Sequence, residues 1–357
     1  MMSRALTVKP RKSFQYGYGC SKSVSINDYE EGIVGFMKDL PLIHCDHHVG
    51  NKRGVCCGEA GAAHLTLREV LRSSVGVIGE SRLGITEKVV LSDGRVCALK
   101  RFRKLSVRRS EFGKRIQRLA MVSHKCKYLV PVTAYLYAKR IKFILCDYYP
   151  MGSLADLLSG CREYGHSALD WEQRLKIILH IAKAISFIHR QTPAQEKNMQ
   201  MNVHGNIKAS NIMINTDFSA CLADYGLAQL AERVEVSKAW QWKPIYSEDL
   251  SQKCDIYNFG LILLDILAGP EALVMINYIA ETKEMIKEGS VEFFEFPLSG
   301  ETQKRQALQV LDIALECTDG KPEARPSMEQ VVLCLGDFVA RDINCCINNN
   351  VKIMSNK

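Results

Sequence analysis

The sequence changes character once, at Pro150, and that change limits the folds open to it. Ahead of Pro150, short apolar and β-branched runs at 75–78, 87–91, 95–100, 130–137 and 142–146 read as strands. Asp93-Gly94 between two of them is a hairpin signal, because a two-residue turn favours residues that tolerate positive φ. Alternation along 95–100 puts Val96, Ala98 and Lys100 on one face. A basic helix at 110–122 interrupts the strands. Thr66 and Glu69 form a capping box that opens a short helix at 67–72 ahead of them.

Behind Pro150 the spacing becomes helical. Ser153 caps a short helix. Asp170 caps a long one in which Trp171, Leu175, Ile178, Ala182, Ile185 and His189 recur at intervals of three and four. Further helices are expected at 255–267 and 306–317, and from the Ser327/Gln330 capping box to about 338. The expected fold is therefore α+β and bilobal, a small antiparallel sheet lobe followed by a larger, mainly helical lobe, with a cleft between them.

Composition narrows the class. Of 357 residues, 47% are hydrophobic, enough for a sizeable core, and 24% are charged, which argues against global disorder. The net charge of +8 is uneven. Residues 1–27 carry Arg4, Lys9, Arg11, Lys12 and Lys22 and no acid. A second run holds Arg101, Arg103, Lys104, Arg108, Arg109, Lys114, Arg115 and Arg118 against Glu111. Such runs attract phosphate groups or an anionic membrane surface, although a solvated face is the plainer reading. The fourteen cysteines include no C-x-x-C pair, and no signal-peptide pattern opens the chain, which points to free thiols in a reducing compartment. His44, Cys45, His47, His48, Cys56 and Cys57 are metal-ligand types, but their spacing matches no structural zinc pattern. The most apolar stretch, 261–268, is broken by Asp265 and too short to span a bilayer. A soluble cytoplasmic protein is expected, with the inner face of the plasma membrane as a place where its basic runs would dock.

Six motifs follow one another in order: Gly79-Glu80-Ser81-Arg82-Leu83-Gly84; Val96 to Lys100; His204-Gly205-Asn206-Ile207-Lys208, ending at Asn211; Asp224-Tyr225-Gly226; Asp255 to Gly260; and Ala324-Arg325-Pro326. Together they resemble the eukaryotic protein kinases. Leu169-Asp170-Trp171, the run from Tyr148 to Leu154 and Val203-His204-Gly205 are similar to the cytoplasmic part of plant leucine-rich-repeat receptor-like kinases. The resemblance covers about 53–340. It implies a kinase-like domain at 75–340 (small lobe 75–146, hinge 147–150, large lobe 151–340), preceded by a flexible tail at 1–52 and a juxtadomain segment at 53–74, and followed by a tail at 341–357.

The resemblance also implies ATP with Mg2+ as ligands. Gly79 and Gly84 match glycines of the phosphate loop, whose middle glycine is Ser81 here, a side chain that would crowd phosphates. Thr86 stands where a valine usually covers the adenine. Lys100 matches the phosphate-holding lysine, with Ala98 beside it. Asp147 and Tyr149 match the hinge that meets adenine, and Cys146 is a small gatekeeper. Lys208, Asn211 and Asp224 match the family pattern, Asn211 and Asp224 as oxygen ligands to Mg2+.

Other positions depart from the pattern. Asn206 occupies the place of the catalytic base and cannot accept a proton at neutral pH, a loss of about 10²–10⁴-fold in rate. Gly205 replaces an arginine, and His204 beside it is read as a core residue. The helix glutamate that orients the lysine falls on Arg115, which would repel Lys100, while Glu111 is placed to pair with Arg115 at i, i+4. The A-P-E region, around 242–246, is degraded, and Arg325 is expected to need an acid such as Glu248 or Asp249. The expectation is a pseudokinase that works by binding signalling proteins, among them receptor-like kinases, and not nucleic acid. The alternatives are a weakly active serine/threonine kinase and a basic docking adaptor.

Overall fold

The computed structural model describes residues 43–44, 65–103, 105–138, 141–160, 169–192, 199–230, 250–269 and 276–337. The N-terminal basic run, the cysteine- and histidine-rich stretch beyond His44, Lys104, Trp242, Glu248, Asp249 and both expected tails except 43–44 lie outside these residues.

The small lobe is a six-stranded antiparallel sheet in the order β1-β5-β6-β4-β3-β2. Its strands are β1 (Ile43–His44), β2 (Ser74–Ser81), β3 (Gly84–Val90), β4 (Val96–Phe102), β5 (Val132–Tyr137) and β6 (Lys142–Asp147). β1 pairs with β5 at the sheet edge and lies in the segment expected to be a flexible tail. Two residues carry too little pattern to read as a strand.

The alternation expected on β4 sorts the side chains into two cores. Cys97 and Leu99 turn outward and join Leu145, Phe143 and Leu136 beneath α1 (Leu67–Arg72), whose Leu67, Val70 and Leu71 are buried there. Thr66 caps α1 by accepting from the Glu69 amide at 3.3 Å, while the Glu69 carboxylate receives the Ser92 hydroxyl at 2.5 Å. On the opposite face, Phe102 packs with Phe112 of α2 (Arg109–His124) in an edge-to-face pair, and Phe112 also meets Tyr135 and Tyr137.

The large lobe is built on α3 (Leu154–Gly160), α4 (Trp171–His189), α5 (Gln252–Ala268), α6 (Ile276–Glu281), α7 (Lys283–Glu288), α8 (Gly300–Cys317) and a final helix, α9, at 328–337. Asp170 and Gln173 form a reciprocal capping box on α4, and Ser327 and Gln330 do the same for α9. α5 is buried nearly all round and forms the spine of the lobe. A hairpin of β7 (Ile212–Ile214) and β8 (Ala220–Leu222) fills the floor of the cleft. Leu222 bridges the hairpin to Leu129 at the base of the small lobe.

Candidate functional site

Two supports fix the loop 204–211. The first is Asp255, 1% exposed in the first turn of α5. Its Oδ2 accepts from the His204 amide at 2.7 Å and lies 3.1 Å from His189 Nε2, and its Oδ1 accepts from the Gly205 amide at 2.9 Å. The second is His204, wholly buried. Its Nδ1 accepts from the Asn206 amide at 3.1 Å, which leaves Nε2–H to donate to the Ala223 carbonyl at 3.0 Å. Burial pushes its pKa down, so the ring is neutral and serves as a structural brace, as its core reading implied.

Asn211 closes the loop. Its side-chain amide donates to the Asn206 carbonyl at 2.8 Å, and its own carbonyl accepts from the Ala223 amide at 2.7 Å. Asp224 follows with φ of 66°, a left-handed conformation that costs an aspartate roughly 1 kcal/mol or more. Tyr225 is buried, its hydroxyl bonded to the Met201 carbonyl. Gly226 is required by close approach: a Cβ there would lie 2.6 Å from Leu119 Cδ2 of α2.

A cleft of about 610 Å³ lies between the lobes. Of the expected residues, Gly79, Ser81, Ala98, Lys100, Cys146, Asp147, Tyr149, Lys208, Asn211 and Asp224 line it, with Thr86 above. Gly84 and Asn206 do not. Gly84 sits against the neighbouring strand, where a Cβ would fall 1.7 Å from the Arg101 carbonyl oxygen. Asn206 reaches the site through its backbone, which holds Asn211.

The charges are arranged in an unexpected way. Lys100 is buried and ion-paired with Asp224. Arg115, also buried, is ion-paired with Glu111 and donates to the Gln229 carbonyl at 3.0 Å. The i, i+4 pair is thus as expected, and the anticipated repulsion of Lys100 is relieved by turning the guanidinium onto the 3₁₀ turn Leu227–Leu230. That turn is also held by Ser106, whose amide donates to Leu230 O at 3.1 Å, and by Gln229, whose side chain bonds both backbone groups of Gln200. Arg325 is half-buried. It lies over the Tyr257 ring and donates to the carbonyls of Asp319 and Lys253; the acids expected beside it, Glu248 and Asp249, lie outside the described residues. The bracing roles of Asp255 and Gln229 were not read from the sequence. Asp255 was visible as the first residue of a motif, whereas Gln229 carried no signal.

The sequence matches the protein kinase domain over residues 73–334. This chain belongs to the protein kinase family. It is 30% identical over 288 residues to a probable inactive receptor kinase of Arabidopsis thaliana, covering 77% of this chain and 44% of the relative. The chain spans less than half the length of the curated relatives it matches. The pseudokinase domain of BIR2, described as an immune regulator of the RLK/Pelle family, superposes with a TM-score of 0.67 at 23% identity, covering 86% of this chain and 92% of that one. The maize SIRK1 kinase domain, solved with AMP-PNP, gives a TM-score of 0.63 at 25% identity, covering 78% and 98%. Among the described residues of this kinase domain, no helix is long and apolar enough to cross a membrane.

The kinase cleft suits a nucleotide: it is of ligand size, apolar around Ala98, Val130, Val132 and Met213, and basic at the Lys100–Lys208 end. Magnesium fits less well. Asn211 offers an amide oxygen, but Asp224, which lines the same cleft, already accepts from Lys100 through Oδ2 and has Oδ1 left for a metal.

Proposed function

We propose that this kinase domain is a pseudokinase, a nucleotide-binding module that signals by contact with other proteins, receptor-like kinases among them, and not by transferring phosphate. One observation carries the reading. The loop 204–211 keeps its backbone supports on Asp255 and His204, yet an amide, Asn206, stands where the family pattern has the proton acceptor. Arg115 at the helix glutamate position adds to it, since α2 then offers Lys100 no carboxylate among the described residues.

A second reading, weak serine/threonine kinase activity, is favoured by Lys100, Lys208, Asn211 and Asp224 lining one end of the cleft. Phosphoryl transfer depends mainly on positioning and electrostatics, so a missing base does not abolish it outright.

A radiometric phosphotransfer assay on the full chain, beside Asn206→Asp, separates the two. The pseudokinase reading expects no transfer by either protein, because Arg115 still faces the wrong way. Transfer by the wild-type chain would establish the weak kinase instead, and a rise of about 10²-fold or more in Asn206→Asp with an inactive wild type would assign the loss to Asn206 alone and not to Arg115.

A further inference from the structure

The phosphate end of the cleft holds more cation than available carboxylate. Lys100 is bonded to Asp224, and Lys208 lies close enough to feel both. Burial lowers the Lys208 pKa, the Asp224 charge opposes that shift, and the Lys100 charge adds to it. The other carboxylates that line the cleft are engaged elsewhere or face outward. Glu80 is ion-paired with Arg103. Asp156 accepts from the Ser153 amide at 2.9 Å and its hydroxyl at 2.7 Å. Asp147 is exposed at the hinge. Relative to the family pattern, Asn206 and Arg115 each shift the local charge in the positive direction.

Magnesium normally offsets the repulsion between a polyphosphate and the carboxylates around it, and it needs hard oxygen ligands to do so. Here the carboxylates are scarce, and the one in place gives one of its two oxygens to a lysine. Releasing Asp224 to a metal would leave the buried Lys100 no protein acid to hold it, only the phosphate itself, because α2 presents Arg115 and pairs Glu111 with it.

We propose that the cleft binds the polyphosphate of a nucleotide through Lys100 and Lys208 without a divalent cation, with Asp224 as the resting partner of Lys100 and not a metal ligand. This rests on the nucleotide-binding part of the function proposed above. Phosphate oxygens replace Asp224 as the acceptor for Lys100, so Asp224 competes with the ligand. The consequence is a reversal of sign. In a metal-dependent site, removing this carboxylate weakens binding; here it strengthens it.

The test is a calorimetric titration of the full chain with ATP, in EDTA and in magnesium, for the wild type, Asp224→Asn and Lys100→Ala. Melting temperatures without ligand check that each variant folds. Magnesium is expected to tighten wild-type binding by less than about fivefold, or about 1 kcal/mol. Asp224→Asn is expected to bind ATP more tightly in magnesium as well as in EDTA, by about threefold, and Lys100→Ala to lose about tenfold. A magnesium gain of about fivefold or more, unchanged or weaker binding by Asp224→Asn, or unchanged binding by Lys100→Ala would overturn the proposal and leave nucleotide binding standing. No binding in either buffer would overturn both. Should Asp224→Asn fail to fold, the magnesium comparison and Lys100→Ala decide.

Discussion

The two walls of the cleft have diverged to different degrees from the pattern of their family. The lower wall, loop 204–211 with Asp224, keeps its frame: Asp255 and His204 hold the backbone, and Asn211 holds the loop to Ala223. The upper wall keeps Lys100 but surrounds it differently, with Ser81 in the glycine hairpin and Arg115 on α2. Below, the change is a side chain on an intact scaffold. Above, the scaffold itself has new anchors, because Arg115 ties α2 to Gln229. A buried acid that satisfies two amides is costly to replace, which accounts for the intact backbone frame of the lower wall.

The sharpest way to break this contrast is Asp255→Ala. It leaves the His204 and Gly205 amides and His189 without their acceptor, and about 3–5 kcal/mol of stability should go, read as a large fall in Tm or loss of cooperative folding. A loss below about 1 kcal/mol would mean that the lower wall is no better fixed than the upper. Gly84→Ala comes next. Its Cβ meets backbone and not a yielding side chain, so about 1–3 kcal/mol should be lost in denaturant titrations.

Arg115→Ala removes the tie between α2 and the turn 227–230 and should cost about 1–2 kcal/mol. Its specific mark is faster hydrogen exchange at 227–230 with little change at 204–211. Equal acceleration at both would show that the walls are one cooperative unit.

The smallest effect is in pH. Burial and the charges of Lys176, Lys183 and Lys127 lower the His180 pKa to about 4, below the ordinary 6.5. The unfolded chain therefore takes up this proton first. The His180 contribution is complete above pH 6.5, falls as pH drops from 6.5 to 4, and is level below that. His180→Gln keeps an acceptor for the Ala220 amide and should flatten the Tm–pH slope over that window by an amount on the order of 1 kcal/mol.

Much of the fold was legible because local chemistry set it. Thr66, Asp170 and Ser327 announced their helices, and 67–72 was placed to the residue. The start of α8 was expected six residues late, since 300–305 is polar and lacks the apolar stripe. The β7–β8 hairpin and the short helices α6 and α7 were not expected at all; three-residue strands and six-residue helices hold too few apolar positions to show a period. In the site, alternation put Lys100 on the cleft face, and helical spacing paired Arg115 with Glu111. The Lys100–Asp224 and Arg115–Gln229 contacts join positions more than a hundred residues apart, and only the packed lobes bring them together.

The packing of α1 bears on where this domain can be cut. The family match begins at residue 73, one residue after α1 ends. Leu67, Val70 and Leu71 nonetheless cover Leu99, Phe143 and Leu145 on the outer face of the sheet. A protein shortened to the matched segment would uncover a greasy patch on its back, beside an edge made of Val75 and Val77. Such a fragment would keep every residue of the cleft and still clump, and its insolubility would be an artefact of the scissors, not a property of the domain.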